Sequence, residues 1–140
     1  MKRTVSVMGA VICLSVKTMV GQTAGGDKDK HGCRASAGYT FSVIKNDCIR
    51  VFEQEIKLNE VNPTGMSTSI SAVIFSDDKT KAEVFMPGKK GGIILLRQGT
   101  EGNYNWKKGK LSLVEKDKEF ILSKGKKIVF TSAPAIETGT

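Results

Sequence analysis

The chain has 140 residues, 39% of them hydrophobic, and its 22 lysine and arginine residues against 14 acidic ones give a net charge of +8. A chain of this length builds one domain with its own core but is too short for two. It carries one histidine and three cysteines, and they do not stand at a recognisable zinc-ligand spacing. We therefore expect neither a metal nor a cofactor.

The first 21 residues have the three-part layout of a secretory signal peptide. Lys2 and Arg3 precede an apolar run at residues 5–16, and small residues follow at 21–24. The run of about a dozen residues is too short to cross a hydrocarbon core of about 30 Å as a helix, so no transmembrane span is expected. An outer-membrane lipoprotein is less favoured, because Cys13 lies inside the apolar run rather than at its boundary. We predict that the mature chain begins near residue 22 and is secreted or periplasmic.

Loss of the signal peptide would leave two cysteines, Cys33 and Cys48, in an oxidising compartment. An even number in that setting predicts a disulfide between them. The bridge would close a loop of about fifteen residues, which the chain-entropy model values at roughly 3 kcal/mol. The alternatives, a metal site or a catalytic thiol, lack partners because His31 is the sole histidine.

Residues 22–32 are rich in Gly, Asp, Lys and Thr without apolar periodicity, which predicts a flexible leader. In the next segment Thr40 is a candidate cap for a short helix with Phe41, Ile44 and Cys48 on one side. The periodicity then becomes strand-like, with alternating apolar residues and turn chemistry at sites such as Pro87-Gly88. The predicted strands are residues 49–58, 69–75, 81–86, 93–97, 103–106, 111–114, 119–122 and 128–132.

This pattern predicts a mainly β fold: an antiparallel barrel or sandwich of about eight short strands, with one short N-terminal helix tethered by the disulfide. The single domain would span residues 33–132, and residues 133–140 would form a C-terminal tail. The continuously apolar run at residues 93–96 is expected to be the most buried strand.

Charge is distributed unevenly along this predicted meander. If each link from residue 69 onward reverses the chain, alternate turns emerge at the same end of the sheet. One end then receives eight lysines and no acid from these turns: Lys89, Lys90, Lys107, Lys108, Lys110, Lys124, Lys126 and Lys127. The other end receives Asp77, Asp78, Glu101, Glu115, Asp117 and Glu119, balanced in part by Lys79, Lys116 and Lys118. The domain is thus predicted to be electrostatically polar.

A lysine-rich end attracts anionic ligands such as an anionic polymer or a lipid head group. The adjacent Trp106 is a candidate contact residue, although a tryptophan there also suits packing over a barrel mouth. Nucleic acid is disfavoured, because base stacking needs several aromatic side chains among the basic ones. The simpler alternative is that lysines at turn tips keep the protein soluble.

Catalysis finds no support in the sequence. A Ser-His-Asp arrangement would require His31, and no GxSxG elbow or phosphate-binding glycine loop before a helix is present. We therefore predict no catalytic residues and expect a binding protein rather than an enzyme.

The run Tyr104-Asn105-Trp106-Lys107-Lys108-Gly109, followed by Leu111 and Leu113, resembles the membrane-bound C-type lysozyme inhibitor family. The resemblance covers about residues 70–130 and implies an eight-stranded antiparallel barrel in which Lys108 would reach into a lysozyme cleft. The family's loop serine is replaced here, and Thr100 is the nearest hydroxyl. The disulfide segment at residues 32–53 looks like an element of small secreted bacterial proteins with no established activity.

We therefore expect a secreted, non-catalytic binding protein of the bacterial envelope that holds an anionic ligand at its lysine-rich end. Two alternatives remain open: a proteinaceous inhibitor of C-type lysozyme, and a secreted structural protein with no small ligand.

Overall fold

The structure, a computed structural model, describes residues 26–134. It contains ten β-strands: β1 (Tyr39–Ser42), β2 (Asp47–Arg50), β3 (Ile56–Glu60), β4 (Ile70–Phe75), β5 (Lys81–Phe85), β6 (Ile93–Gln98), β7 (Asn105–Lys108), β8 (Leu111–Lys116), β9 (Glu119–Lys124) and β10 (Lys127–Thr131). Two single 3-10 turns at Ala35–Ala37 and Val51–Glu53 flank the first two strands. The predicted signal peptide and most of the predicted tail lie outside the described residues.

Strands β3 to β10 form a closed antiparallel barrel of eight strands in the order β10-β3-β4-β5-β6-β7-β8-β9. Neighbours in sequence are neighbours in space, and β10 closes the barrel on β3 by pairing Phe130 with Glu60 and Thr131 with Asn59. The prediction of an antiparallel barrel is thereby confirmed, and the sandwich alternative is wrong. Closure leaves no unpaired edge strand in the barrel.

The barrel interior is filled by the inward-facing residues of the alternating strands, as period-2 patterning requires. The fully buried members include Leu58, Val84, Leu95, Leu113 and Leu122. Phe75, Tyr104 and Phe120 are partly buried against this core. The interior of the barrel is therefore occupied by side chains.

The predicted N-terminal helix is wrong, because residues 39–50 form a β-hairpin. Strand β1 pairs antiparallel with β2, and Phe41 lies opposite Cys48. The sequence Tyr39-Thr40-Phe41 consists of aromatic and β-branched residues, which favour extended backbone. Asn46 takes a left-handed conformation, with φ of 51°, in the loop that reverses the chain.

The disulfide between Cys33 and Cys48 is present, with the two Cα atoms 5.5 Å apart. It joins β2 to the segment that precedes β1, where Lys28 pairs with Arg34. The ring of His31 stacks on Phe41, with centroids 3.7 Å apart. The N-terminal segment from residue 26 is thus attached to the hairpin by covalent, backbone and aromatic contacts.

The hairpin covers the outer face of β4 and β5. Ile49 of β2 packs on Ile74 and Phe85, with Ile44 and Val51 at the margin of this second apolar cluster. Four residues in each of β4 and β5 are consequently buried. The expectation that residues 93–96 form the most buried strand is wrong, because no hairpin covers β6 and Leu96 is 55% exposed.

A buried carboxylate connects the hairpin to the barrel wall. Glu83 lies on the outward face of β5, yet its side chain is 0% exposed. It accepts hydrogen bonds from the Ser42 hydroxyl at 2.6 Å and from the backbone N–H groups of Val43 and Ile44 at 2.9 and 3.1 Å. A Cβ at Gly92 would overlap this side chain. Four residues from the hairpin and the β5–β6 link are therefore fitted around one acidic group.

We predict that Glu83→Ala destabilises the protein by about 3 kcal/mol, because it leaves a buried hydroxyl and two partly buried N–H groups without an acceptor. The control Glu83→Gln keeps one carbonyl acceptor and should lose less. Denaturant unfolding measures both changes. Wild-type stability in the Ala variant would contradict the anchoring role of this carboxylate.

Candidate functional site

The barrel topology places alternate links at the same end of the domain. Because β3 to β10 are successively antiparallel, the β5–β6, β7–β8 and β9–β10 links emerge together, and the β3–β4 link emerges beside them. We call this side of the barrel the lysine end. The β4–β5, β6–β7 and β8–β9 links emerge at the opposite side, which we call the acidic end.

Two turns of the lysine end share the sequence Lys-Gly-Lys. Lys108 pairs with Leu111 across Gly109-Lys110, and Lys124 pairs with Lys127 across Gly125-Lys126. Gly109 and Gly125 have φ of 58° and 63°, which a residue with a side chain rarely adopts. The backbone N–H of Gly125 donates to the carbonyl of Lys110 at 2.8 Å. The two turns are therefore held side by side.

The strand register places three of the lysines in one row. Lys108 lies opposite Leu111, Leu111 opposite Lys124, and Lys124 opposite Lys127. Residues that pair directly across antiparallel strands share a face of the sheet. Since Leu111 belongs to the barrel core, the three lysines stand on the inward-facing side of their strands, at the mouth of the barrel. Lys107 belongs to the outward-facing side of β7.

The lysine side chains at this end are solvent-exposed. The one ion pair that we find between residues 26 and 134 joins Arg50 to Glu53, on the N-terminal hairpin and the 3-10 turn after it. Among the residues that the structure describes, no carboxylate therefore forms an ion pair with an ammonium group of the lysine end. Their positive potentials add in the solvent beyond the barrel mouth.

Lys89 and Lys90 occupy a different electrostatic setting. They border a surface groove of about 610 Å³ between the β5–β6 link and the N-terminal segment, which contributes Asp27 and Asp29. The side-chain hydrogen bond from Ser36 lowers the pKa of Asp27, and the backbone N–H of Cys33 lowers that of Asp29. The groove thus has mixed charge. The contact between the N-terminal segment and the β5–β6 link could not be predicted from sequence, because residues 22–32 contain no regular apolar pattern.

Trp106 does not belong to the lysine end. Its side chain is 2% exposed inside the barrel, and its Nε1 donates to the carbonyl of Lys79 at 2.8 Å, on the β4–β5 link of the acidic end. It packs against Phe75 with ring centroids 4.8 Å apart. The packing interpretation of this residue therefore agrees with the structure, and we remove Trp106 from the candidate contact surface.

At the acidic end, Asp78 organises the β4–β5 link. Its carboxylate accepts from the backbone N–H and hydroxyl of Thr80 and from the hydroxyl of Ser76. These hydrogen bonds, with a smaller contribution from the charge of Arg97, lower the pKa of Asp78 from 3.8 to about 2. Because these hydrogen bonds hold the carboxylate within its own turn, it is not available as a general acid or base.

Two other kinds of site, a metal site and a membrane-spanning helix, can be checked among the described residues, and the chain can be compared with known proteins. Residues 26–134 contain no cluster of three or more His, Cys, Asp or Glu side chains that could hold a metal ion. No helix in that same range is long and apolar enough to cross a membrane. Comparison with known proteins gave no matching family model, no matching curated protein and no matching solved structure.

We predict that Asp78 adds stability only while it is ionised. Its pKa of about 2 in the folded protein lies below the ordinary aspartate value of 3.8. The stability that the ionised carboxylate contributes is therefore fully present above pH 3.8 and is lost as the pH falls through about 2. The stability difference between wild type and Asp78→Asn should therefore shrink over this window, as measured by unfolding at several pH values. A difference that grows on acidification would contradict the assignment.

Proposed function

We propose that the protein is a non-catalytic binding protein that holds an anionic ligand at its lysine end. The observation that carries the proposal is the pair of joined Lys-Gly-Lys turns, whose exposed ammonium groups have no carboxylate partner between residues 26 and 134. Short turns with fixed glycine geometry keep these charges in place, so a ligand need not order the backbone to meet them.

The clustering itself supports binding over solubility. Solubility requires net charge, which lysines spread over both ends would supply without mutual repulsion. Here the strand register places Lys124 directly opposite Lys127 and places Lys108 in the same row, with Leu111 between Lys108 and Lys124. Like charges this close repel each other in the unliganded protein. A bound anion would relieve that repulsion.

The proposed setting is extracellular or periplasmic. A disulfide is stable in an oxidising compartment and rare in a reducing one, and the Cys33–Cys48 bridge is consistent with such a location. Acidic polysaccharides and phosphorylated lipid head groups are anions that a protein meets there.

We expect Lys108→Gln/Lys124→Gln/Lys127→Gln to weaken retention on heparin strongly, because the three lysines at the barrel mouth would act together on a polyanion. The matched control is Lys79→Gln/Lys116→Gln/Lys118→Gln, which removes the same number of charges from the acidic end. The salt concentration at which each variant elutes from heparin measures its retention. Added salt should release the wild type, because it screens the lysine charges and displaces their contacts with the polyanion.

Equal losses in the two triple variants, with both folded by circular dichroism, would show that net charge alone is responsible. The lysine end would then have no binding role. The lysozyme-inhibitor alternative depends on Lys108 at the tip of β7, so it predicts stoichiometric inhibition of a C-type lysozyme that Lys108→Ala relieves.

A further inference from the structure

The β3–β4 link differs in character from every other link at the lysine end. It runs from Val61 to Ser69 and is the longest connection in the barrel. Its sequence, Val-Asn-Pro-Thr-Gly-Met-Ser-Thr-Ser, contains no charged residue. An uncharged loop therefore emerges from the mouth that otherwise carries the densest positive charge of the domain.

This loop and its surroundings expose apolar side chains to solvent. Met66 is fully exposed near the middle of the loop, and Val61 and Ile70 at its two bases are 38% and 41% exposed. Ile128, near the start of β10, is 45% exposed. Isolated exposed apolar residues are ordinary, but these four lie at the same end of the barrel as the exposed lysines.

Backbone contacts hold the base of the loop against the lysine-bearing strands. The N–H of Glu60 donates to the carbonyl of Ser69 at 3.1 Å, and the N–H of Val61 donates to the carbonyl of Val129 at 3.1 Å. The carboxylate of Glu60 also accepts from the N–H of Ser69 at 3.3 Å. The apolar group is thus fixed beside β10, whose first residue is Lys127.

A single ligand surface must satisfy both features of this end. A soluble polyanion satisfies the lysines but offers nothing to Met66, and an uncharged apolar pocket on a protein offers nothing to the lysines. An anionic lipid bilayer satisfies both, since its phosphates lie in front of an apolar phase. The lysines would meet the head groups while the loop reaches the acyl boundary.

We propose that the lysine end docks on an anionic lipid bilayer and that Met66 enters the interface between head groups and acyl chains. The proposal rests on the proposed function and names the anion as a membrane-bound phosphodiester. The domain would lie on the bilayer as a peripheral protein, with the barrel wall and the hairpin in water.

The direct test places a fluorescent reporter in the loop. Met66→Trp should show a blue-shifted emission on vesicles of equal parts phosphatidylglycerol and phosphatidylcholine. Trp106 gives a constant background because it is buried in the barrel. The matched control is Val43→Trp, at a residue that is 61% exposed on the hairpin loop next to Glu83. It should show no shift, and soluble glycerol phosphate should shift neither variant.

The second test separates the loop from the lysines. Met66→Asn should weaken vesicle partitioning by about tenfold, the value of one buried apolar side chain, while its heparin retention stays at the wild-type level. Val43→Asn should leave both measurements unchanged. The lysine triple variant should lose both.

The outcomes distinguish the two proposals. Binding to heparin but not to the vesicles, or vesicle binding that is equal in wild type and Met66→Asn without a shift in Met66→Trp, would overturn membrane docking and leave the anion-binding proposal standing. Failure of the wild type to bind either heparin or vesicles at low salt would overturn both.

Discussion

The carboxylate of Glu83 is the interaction on which the arrangement of the whole domain depends. A buried charge is costly unless hydrogen bonds replace its water, and here all three donors come from the N-terminal hairpin, one at the end of β1 and two in the loop that follows. The hairpin must therefore lie on β5, which in turn buries the outer face of β4 and the ring of Phe85. The disulfide at Cys48 then ties the preceding segment to the same place.

With one side of the barrel covered in this way, the two ends become its distinctive surfaces. An up-and-down barrel sorts its links by parity, so lysines in alternate turns collect at one mouth and acids at the other. Besides strand order, local hydrogen bonds hold neighbouring lysine turns together, such as the bond from the N–H of Gly125 to the carbonyl of Lys110. The charge separation is a property of strand order and two-residue turns, and no long-range ion pair is needed to maintain it.

Much of this could be predicted from sequence, because strand alternation and Gly-containing turns are local signals. The barrel strands and the shared end of the lysine turns follow from them, and the disulfide follows from the even number of cysteines after the predicted signal peptide. The hairpin was not predicted, because Phe41, Ile44 and Cys48 recur at the three- and four-residue spacing of a helix. Glu83 alternates as an outward residue should, and only tertiary contact buries it. The apolar residues on both faces of β4 were the available sign that its outer face is covered.

Charge separation also determines how the domain would approach an anionic surface. At physiological ionic strength, electrostatic attraction extends about 8 Å, so the lysines act before any apolar contact forms. The same field repels the acidic end, where Asp78 stays ionised because its turn holds the carboxylate. The uncharged loop with Met66 contributes nothing at that distance and acts only on contact. Orientation and insertion are therefore separable steps, and they depend on different residues of the same mouth.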